Sequence, residues 1–359
     1  MTPRANVDVI IIGGGIIGAA TADQLAARGV RVGLVDRASN PGVASTAAAG
    51  ILAAQIEPER DEALKRLLVV GRDRVRSAVP ELEADTGVDV ELQADGALYL
   101  IRDEAEVEHR RQIATTQRAE GLRVEWLAPE EIPKLEPEIS VESFGGLYFP
   151  DDHRLNPTRL REALLKRATA RGMVTLDDVD LSAPGGPTVV VAAGAWSTEV
   201  ARGLGLPPIP VVPVRGQIVQ STPWDGRLRS TVFVRSLGYL LQRKGGRLIV
   251  GSSVEMVGFD ATPTPDVRAS LEKMARGALP GIRGISFPDT WAGFRPMTPD
   301  MMPILDAVDG NAHRVVVATG HFRSGIVSSL ISGEIAAALA LGESPSVDVT
   351  PFHLSRFDV

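Results

Sequence analysis

The chain has 359 residues, with 44% hydrophobic and 23% charged side chains, a net charge of −7 and no cysteine. That length holds one large domain or two smaller ones, each with a substantial core. The acidic balance excludes a basic surface for nucleic acid or an anionic membrane. The lack of Cys excludes disulfides, thiolate metal sites and a cysteine nucleophile, and no metal centre is expected.

The first element is a short apolar strand from Val9 to Ile12, followed by Gly13, Gly15 and Gly18 in a GxGxxG frame. Gly13 allows a tight turn, Gly15 lets the backbone approach a pyrophosphate, and Gly18 lets helix and strand pack closely. The alanine-rich helix that opens at Ile16 and Ile17 offers unpaired N–H groups and a partial positive charge to phosphates. A second strand, VRVGLVD, ends at Asp36, whose carboxylate suits a ribose diol, with Arg37 beside it. Strand, glycines, helix, strand and acid in this order predict dinucleotide binding.

The segment from Ala38 to Glu57 reads as a loop and then a helix start near Ser45 to Gly50. Its Ser45, Thr46, Ala48, Ala49 and Gly50 are placed to reach further along an extended cofactor. An amphipathic helix is predicted over Glu59–Val79, kinked or ended by Pro80, with Thr86-Gly87 as a firm stop. GALYLIR is a strand, and the charged segment after it is a helix capped by Gly121. Asp151-Asp152 makes a turn, and Asn156-Pro157 suits the N-cap and N1 positions of a helix running to Gly172. VTLDDVDL, the turn SAPGGP and the buried strand TVVVAAGAW follow, bringing Ala193, Gly194 and Trp196 to a strand end.

From Pro210 the texture becomes antiparallel: PVRGQIVQS, GYLLQRK and GRLIVGSS alternate, with Gly245-Gly246 as a hairpin turn. A helix is predicted over Asp266–Leu279. RVVVATG then restores α/β character, and SGIVSSLISGEIAAALALG is a helix ending at Gly342. Gly320 and Gly325 flank the turn of His321, Phe322, Arg323, Ser324 and Ile326. This is an ordinary βα turn with a glycine hinge, or one that points N–H groups at a flavin pyrimidine ring. The strand type switches twice. The fold class is therefore α/β, with a Rossmann-type domain built from segments 1–82, 142–208 and 288–359. An antiparallel-sheet substrate domain is inserted as segments 83–141 and 209–287. No signal peptide is recognisable after Arg4, and Ile335 to Leu341 is too short to span a bilayer, so a soluble cytoplasmic protein is expected.

The sequence resembles the D-amino-acid oxidase family of flavoenzymes, and within it the glycine oxidase branch associated with thiamine synthesis. The resemblance rests on IIGGGIIG with Asp36, STAAAGIL, GGLYFPDDHRLNPTRL, VVVAAGAWS, VRGQIV, GYLLQRKGGRLIVGSSVE, TWAGFRPMTPD and TGHFRSGI. It implies bound FAD and a pocket roofed by the antiparallel sheet. It also implies oxidative deamination of glycine or another small amino acid, with oxygen as acceptor and hydrogen peroxide as product. It implies that Arg295 clamps the substrate carboxylate, that Tyr239 assists, and that Arg323 lines the same pocket. A homo-oligomer is implied too, although no apolar stripe marks an interface. Without Cys, and with no His in STAAAG, the FAD is expected to be non-covalent.

Each assignment has an alternative in the residues themselves. Arg295 is also placed to pair with Asp300, Tyr239 to pack in a strand, and Arg323 to cap a helix or contact flavin. His321 reads as a hydrogen-bonding scaffold rather than an acid or base, and His153 and His313 carry no signal. The alternatives for the whole chain are a dehydrogenase of the same fold using another acceptor, and a flavin-binding protein without turnover. Two departures from the family pattern stand out. The stretch between Met173 and VVVAAGAW is short, so that either cofactor affinity is weaker or neighbours such as Val174 compensate at the adenine end by backbone bonds. Met301 stands where the family usually has a glycine, so a positive φ there is strained.

Overall fold

The computed structural model describes residues 6–36, 42–56, 61–179, 181, 186–235, 238–309 and 313–357. In chain order the dinucleotide region comprises β1 (Val9–Ile12), α1 (Ile16–Ala27), β2 (Val32–Val35), α2 (Ala44–Ala47), β3 (Ile51–Leu52) and α3 (Glu62–Thr86). There follow β4 (Ala97–Leu100), α4 (Val107–Ala119), β5 (Glu125–Leu127), α5 (Ile132–Leu135), β6 (Gly146–Phe149), β7 (His153–Arg154), α6 (Pro157–Ala170), β8 (Val174–Leu176), β9 (Thr188–Val191) and α7 (Ser197–Gly203). The rest is β10 (Val212–Pro223), β11 (Thr231–Arg235), β12 (Gly238–Gln242), β13 (Arg247–Gly251), α8 (Pro265–Ala278), β14 (Asp289–Met297), β15 (Ile304–Asp309), β16 (Arg314–Thr319) and α9 (Ser329–Leu341).

Two sheets organise these elements. The first has the order β15-β16-β9-β1-β2-β8 and is parallel except for β15. The second has the order β14-β10-β13-β12-β11-β4-β6-β5 and is antiparallel except for the β11–β4 pair. The segments 142–208 and 288–359 contribute to both, because β6 and β14 join the second sheet. Helix α1 packs against α6 and α9, as does α3. Small residues make this approach close: a Cβ on Gly333 of α9 would lie 2.6 Å from that of Ala20. The same layer buries an ion pair, Asp23 of α1 with Arg167 of α6 at 2.7 Å. In the second sheet the period of two splits the side chains. Leu240 and Val250 pack with Leu271 and Ala275 of α8, while Tyr239, Leu241 and Ile249 face the other way beside Ala49 and Ala53.

The structure corrects several predicted boundaries. α3 continues through Pro80 to Thr86 and ends at Gly87, whose φ is 69°. Pro80 and Arg76, the residue whose carbonyl loses its partner, are both on the exposed face, where water replaces the missing bond. The C-terminal helix begins at Ser329 rather than Ser324. The serine hydroxyls of 324, 328 and 329 donate to the carbonyls of His321, Ser324 and Ile326, holding a tighter turn in place of the first helical turn. The predicted turn at 182–185 lies outside the described residues.

Two stability measurements follow. Gly333→Val is expected to cost about 1–3 kcal/mol through overpacking against α1, read as a lower denaturant midpoint; an unchanged midpoint contradicts the close contact. Met301 has a φ of 62°, a conformation that costs a side-chain-bearing residue roughly 1–2 kcal/mol. Met301→Gly should therefore raise the midpoint, and a fall would show that the turn is not strained.

Candidate active site

The glycine turn lies at one end of a cleft of about 540 Å³. Gly13 has a φ of 110° and leaves room for no Cβ, which would sit 2.4 Å from the Ala192 carbonyl oxygen of β9. Gly15 is the N-cap of α1. The Ile16 N–H donates to Ser45 Oγ at 2.8 Å, tying α2 to the N-terminus of α1. Gly18 packs rather than lines the cleft, since a Cβ on it would meet the Gly13 carbonyl oxygen at 1.9 Å. Asp36 accepts the Gly14 N–H at 3.1 Å and pairs with Arg161 of α6 at 2.7 Å. Arg161 has no local signature, because nothing within α6 reveals that it crosses to the end of β2. Arg37 lies outside the described residues.

Along the cleft stand Ser45, Ala48, Ala49, Gly50, Ala193, Gly194 and Trp196. Two predicted neighbours do not reach it. The Thr46 hydroxyl donates back to the Val43 carbonyl at 3.2 Å and is exposed. Val174 lies at the start of the edge strand β8 and is 43% exposed. Asp178, Val179 and Leu181 reach the cleft instead, because a dinucleotide lies across the carboxyl ends of the parallel strands and the chain arrives there only after β8 ends.

The second sheet closes the other end, with Arg295 of β14, Tyr239 of β12 and Ser252 lining it. Arg295 Nη2 donates to Ser252 Oγ at 2.7 Å and Nη1 donates to the Ser253 carbonyl at 3.1 Å. Asp300, the alternative partner, pairs with Arg356 at 2.7 Å. Tyr239 is buried, with its ring edge-on to Phe233 at 6.2 Å between centroids. Two strand glycines make this space: a Cβ on Gly216 would lie 2.2 Å from the Arg295 guanidinium nitrogens, and one on Gly251 would lie 2.3 Å from the Tyr239 hydroxyl. Both were legible as glycines inside a strand pattern, which marks such close approaches.

The turn after β16 completes the wall, with His321 through Val327 all lining the cleft. Gly320 stands just outside it, at φ 77°. Phe322 has a φ of 46°, and its N–H donates to the Pro296 carbonyl at 2.8 Å. His321 is 2% exposed, and burial pushes its pKa down to about 3. Its Nε2 meets Ser332 Oγ of α9 at 3.0 Å. Among the described residues no cluster of His, Asp or Glu could hold a metal ion, and no helix is long and apolar enough to cross a membrane. The cradle without Cβ atoms at Gly13 and Gly15, the acid at Asp36 and the long cleft together fit FAD.

Comparison with known proteins agrees. Residues 8–339 match the family described as DAO, FAD dependent oxidoreductase. The chain is 31% identical to the glycine oxidase of Geobacillus kaustophilus (strain HTA426), over 97% of each chain. It is 30% identical to the hydrogen cyanide synthase subunit HcnC of Pseudomonas aeruginosa, over 98% of this chain and 96% of that one. The crystal structure of glycine oxidase from Geobacillus kaustophilus superposes with a TM-score of 0.91 at 30% identity, covering 98% of both chains. With the dinucleotide turn, the cleft and nearly the whole sequence in agreement, the chain belongs to the DAO family of FAD-dependent oxidoreductases.

Proposed function

We propose that the protein oxidatively deaminates glycine or another small α-amino acid, giving an imine that hydrolyses to an oxo acid and ammonia, with oxygen reduced to hydrogen peroxide. The observation that carries this reading is Arg295, held at the closed end of the cleft by Ser252 and Ser253. FAD, when bound, supplies the two-electron acceptor for the hydride of the α carbon. The guanidinium fork binds a carboxylate through two N–H donors and so fixes orientation as well as charge. Tyr239 and Phe294, both buried, keep water from this end, which strengthens that contact. Because a hydride leaves the α carbon, no base is required there, and proximity is the main contribution of the protein. Met301 is exposed and stands outside the cleft, so its departure from the family pattern leaves the Arg295 end unaltered. The two-domain division belongs to the same proposal, with the second sheet as substrate domain and with β6 and β14 moved into it from the segments given above.

A second reading, transfer of electrons to an acceptor other than oxygen, draws on the relative named as a subunit of a synthase rather than an oxidase. Anaerobic mixing of the yellow protein with glycine, sarcosine, D-alanine, D-proline and L-amino acids tests the amine chemistry itself. Bleaching of the flavin band by a subset is expected. Peroxide release on admitting air then separates the two readings.

Two further outcomes follow. Arg295→Leu should raise KM for the amino acid about 10- to 100-fold, the loss of a charge-assisted contact of roughly 1.5–3 kcal/mol; an unchanged KM and turnover would sink the carboxylate assignment. His321 is buried neutral, with a folded pKa of about 3 against about 6.5 in an unfolded chain. Its contribution to stability is therefore present above pH 6.5 and lost as pH falls toward 3. His321→Asn should flatten that acid decline by up to about 2 kcal/mol at pH 5, measured by urea unfolding at pH 7 and 5; parallel curves for both proteins would contradict it.

A further inference from the structure

We propose that Arg215 is a positioning residue for the Arg295 carboxylate clamp, acting through Glu255 and Ser253; the inference rests on the reading of Arg295 given above. The triplet Arg215-Gly216-Gln217 lies in β10, where side chains alternate between the two faces of the sheet. Gly216 faces Arg295, and its missing Cβ makes room for the guanidinium. Arg215 and Gln217 project from the opposite face and grip the segment Ser252–Thr264, which leaves the end of β13.

The grip is dense. The Arg215 N–H donates to the Glu255 carbonyl at 2.9 Å, and the Glu255 N–H donates to the Arg215 carbonyl at 3.0 Å. Arg215 Nη2 donates to Glu255 Oε2 at 2.6 Å, and Nη1 donates to Asp260 Oδ2 at 2.8 Å and to the Thr262 carbonyl at 3.0 Å. The other carboxylate oxygen, Glu255 Oε1, accepts from Gln217 Nε2 at 2.9 Å and from the Ser253 hydroxyl. Ser253 Oγ in turn accepts the Gln217 N–H at 2.9 Å.

Ser252 and Ser253 are the residues that present acceptors to Arg295. On one side they hold the guanidinium; on the other, Glu255 and Arg215 fix them to the sheet. Arg215 is only 4% exposed while Glu255 and Asp260 stay partly open to solvent, so the grip rests on the geometry of several charge-assisted hydrogen bonds rather than on an unscreened charge. Removing Arg215 strips Glu255 Oε2 of its cation and releases Asp260 and Thr262 at the same time. The segment then no longer defines where the Ser252 hydroxyl and the Ser253 carbonyl lie, and the plane of Arg295 is lost with them. Orientation of a bidentate contact is what such a loss damages first.

The test uses the FAD-loaded protein and acetate, a carboxylate with no amine to oxidise, followed by the shift it causes in the flavin absorbance band. Arg215→Met is expected to weaken acetate binding about tenfold and to raise KM for the bleaching amino acid by a similar factor. Affinity for FAD, read by flavin fluorescence on release, should be unchanged, and Arg215→Lys should recover part of the loss. Should Arg215→Met fail to fold, Glu255→Gln tests the same chain of contacts and should weaken acetate in the same direction. Acetate affinity equal to wild type in the folded variants overturns the proposal. So does a loss of acetate affinity matched by an equal loss of FAD affinity, which marks general disruption. If wild type shows no acetate shift, or Arg295→Leu binds acetate as well as wild type does, the reading of Arg295 itself fails and the positioning role falls with it.

Discussion

The outer edge of β14 is where the two sheets become one site. Its inner edge pairs with β10 along the whole strand, which fixes its register. On the outer side the Phe294 N–H donates to the Gly42 carbonyl at 2.8 Å, and the Pro296 carbonyl accepts from Phe322. The Trp291 indole donates to the Ala47 carbonyl at 3.0 Å, and Gly293 admits the Ala47 methyl, which would lie 2.5 Å from a Cβ. One strand thereby satisfies backbone groups of the α2 segment and of the turn after β16, while its Arg295 points into the cleft between them. Buried backbone donors and acceptors need partners, so these three elements cannot drift apart independently. The distance from the dinucleotide turn to the guanidinium is set by that edge.

This explains which parts were readable from sequence. Gly13, Gly15 and Asp36 announce themselves because turn, helix start and acid are local consequences of a βαβ unit. Arg295, Tyr239 and Arg323 line one cleft, yet only a resemblance suggested them, since their meeting depends on sheet order. The same holds for β14 itself: TWAGFRP has little alternation, and its strand character comes from pairing with β10 and from the loops against its other edge. Gly216 and Gly251 do carry a local signal, glycine within a strand, but it marks a close approach without naming the side chain that approaches. Arg161 and Arg215 carried no local signal at all. Their partners, Asp36 and Glu255, lie 125 and 40 residues away in the chain.

The arginines divide the work of the cleft by their surroundings. Arg161 is partly exposed and meets a carboxylate at the mouth of the dinucleotide turn, where solvent weakens the pair. Arg295 donates to the Ser252 hydroxyl and the Ser253 carbonyl, which orient its guanidinium. Arg215 is buried and paired with two carboxylates, so its charge is compensated and its role is mechanical.

The partners of the outer edge of β14 come from a different part of the fold, and this has a cost for handling. Were the α2 segment and the turn after β16 pulled away, the nine-residue β14 would be left with unpaired backbone groups along one side. An exposed edge of that length is a template for adding a strand from a neighbouring molecule. Aggregation would then begin at the outer edge of β14 rather than at the parallel sheet.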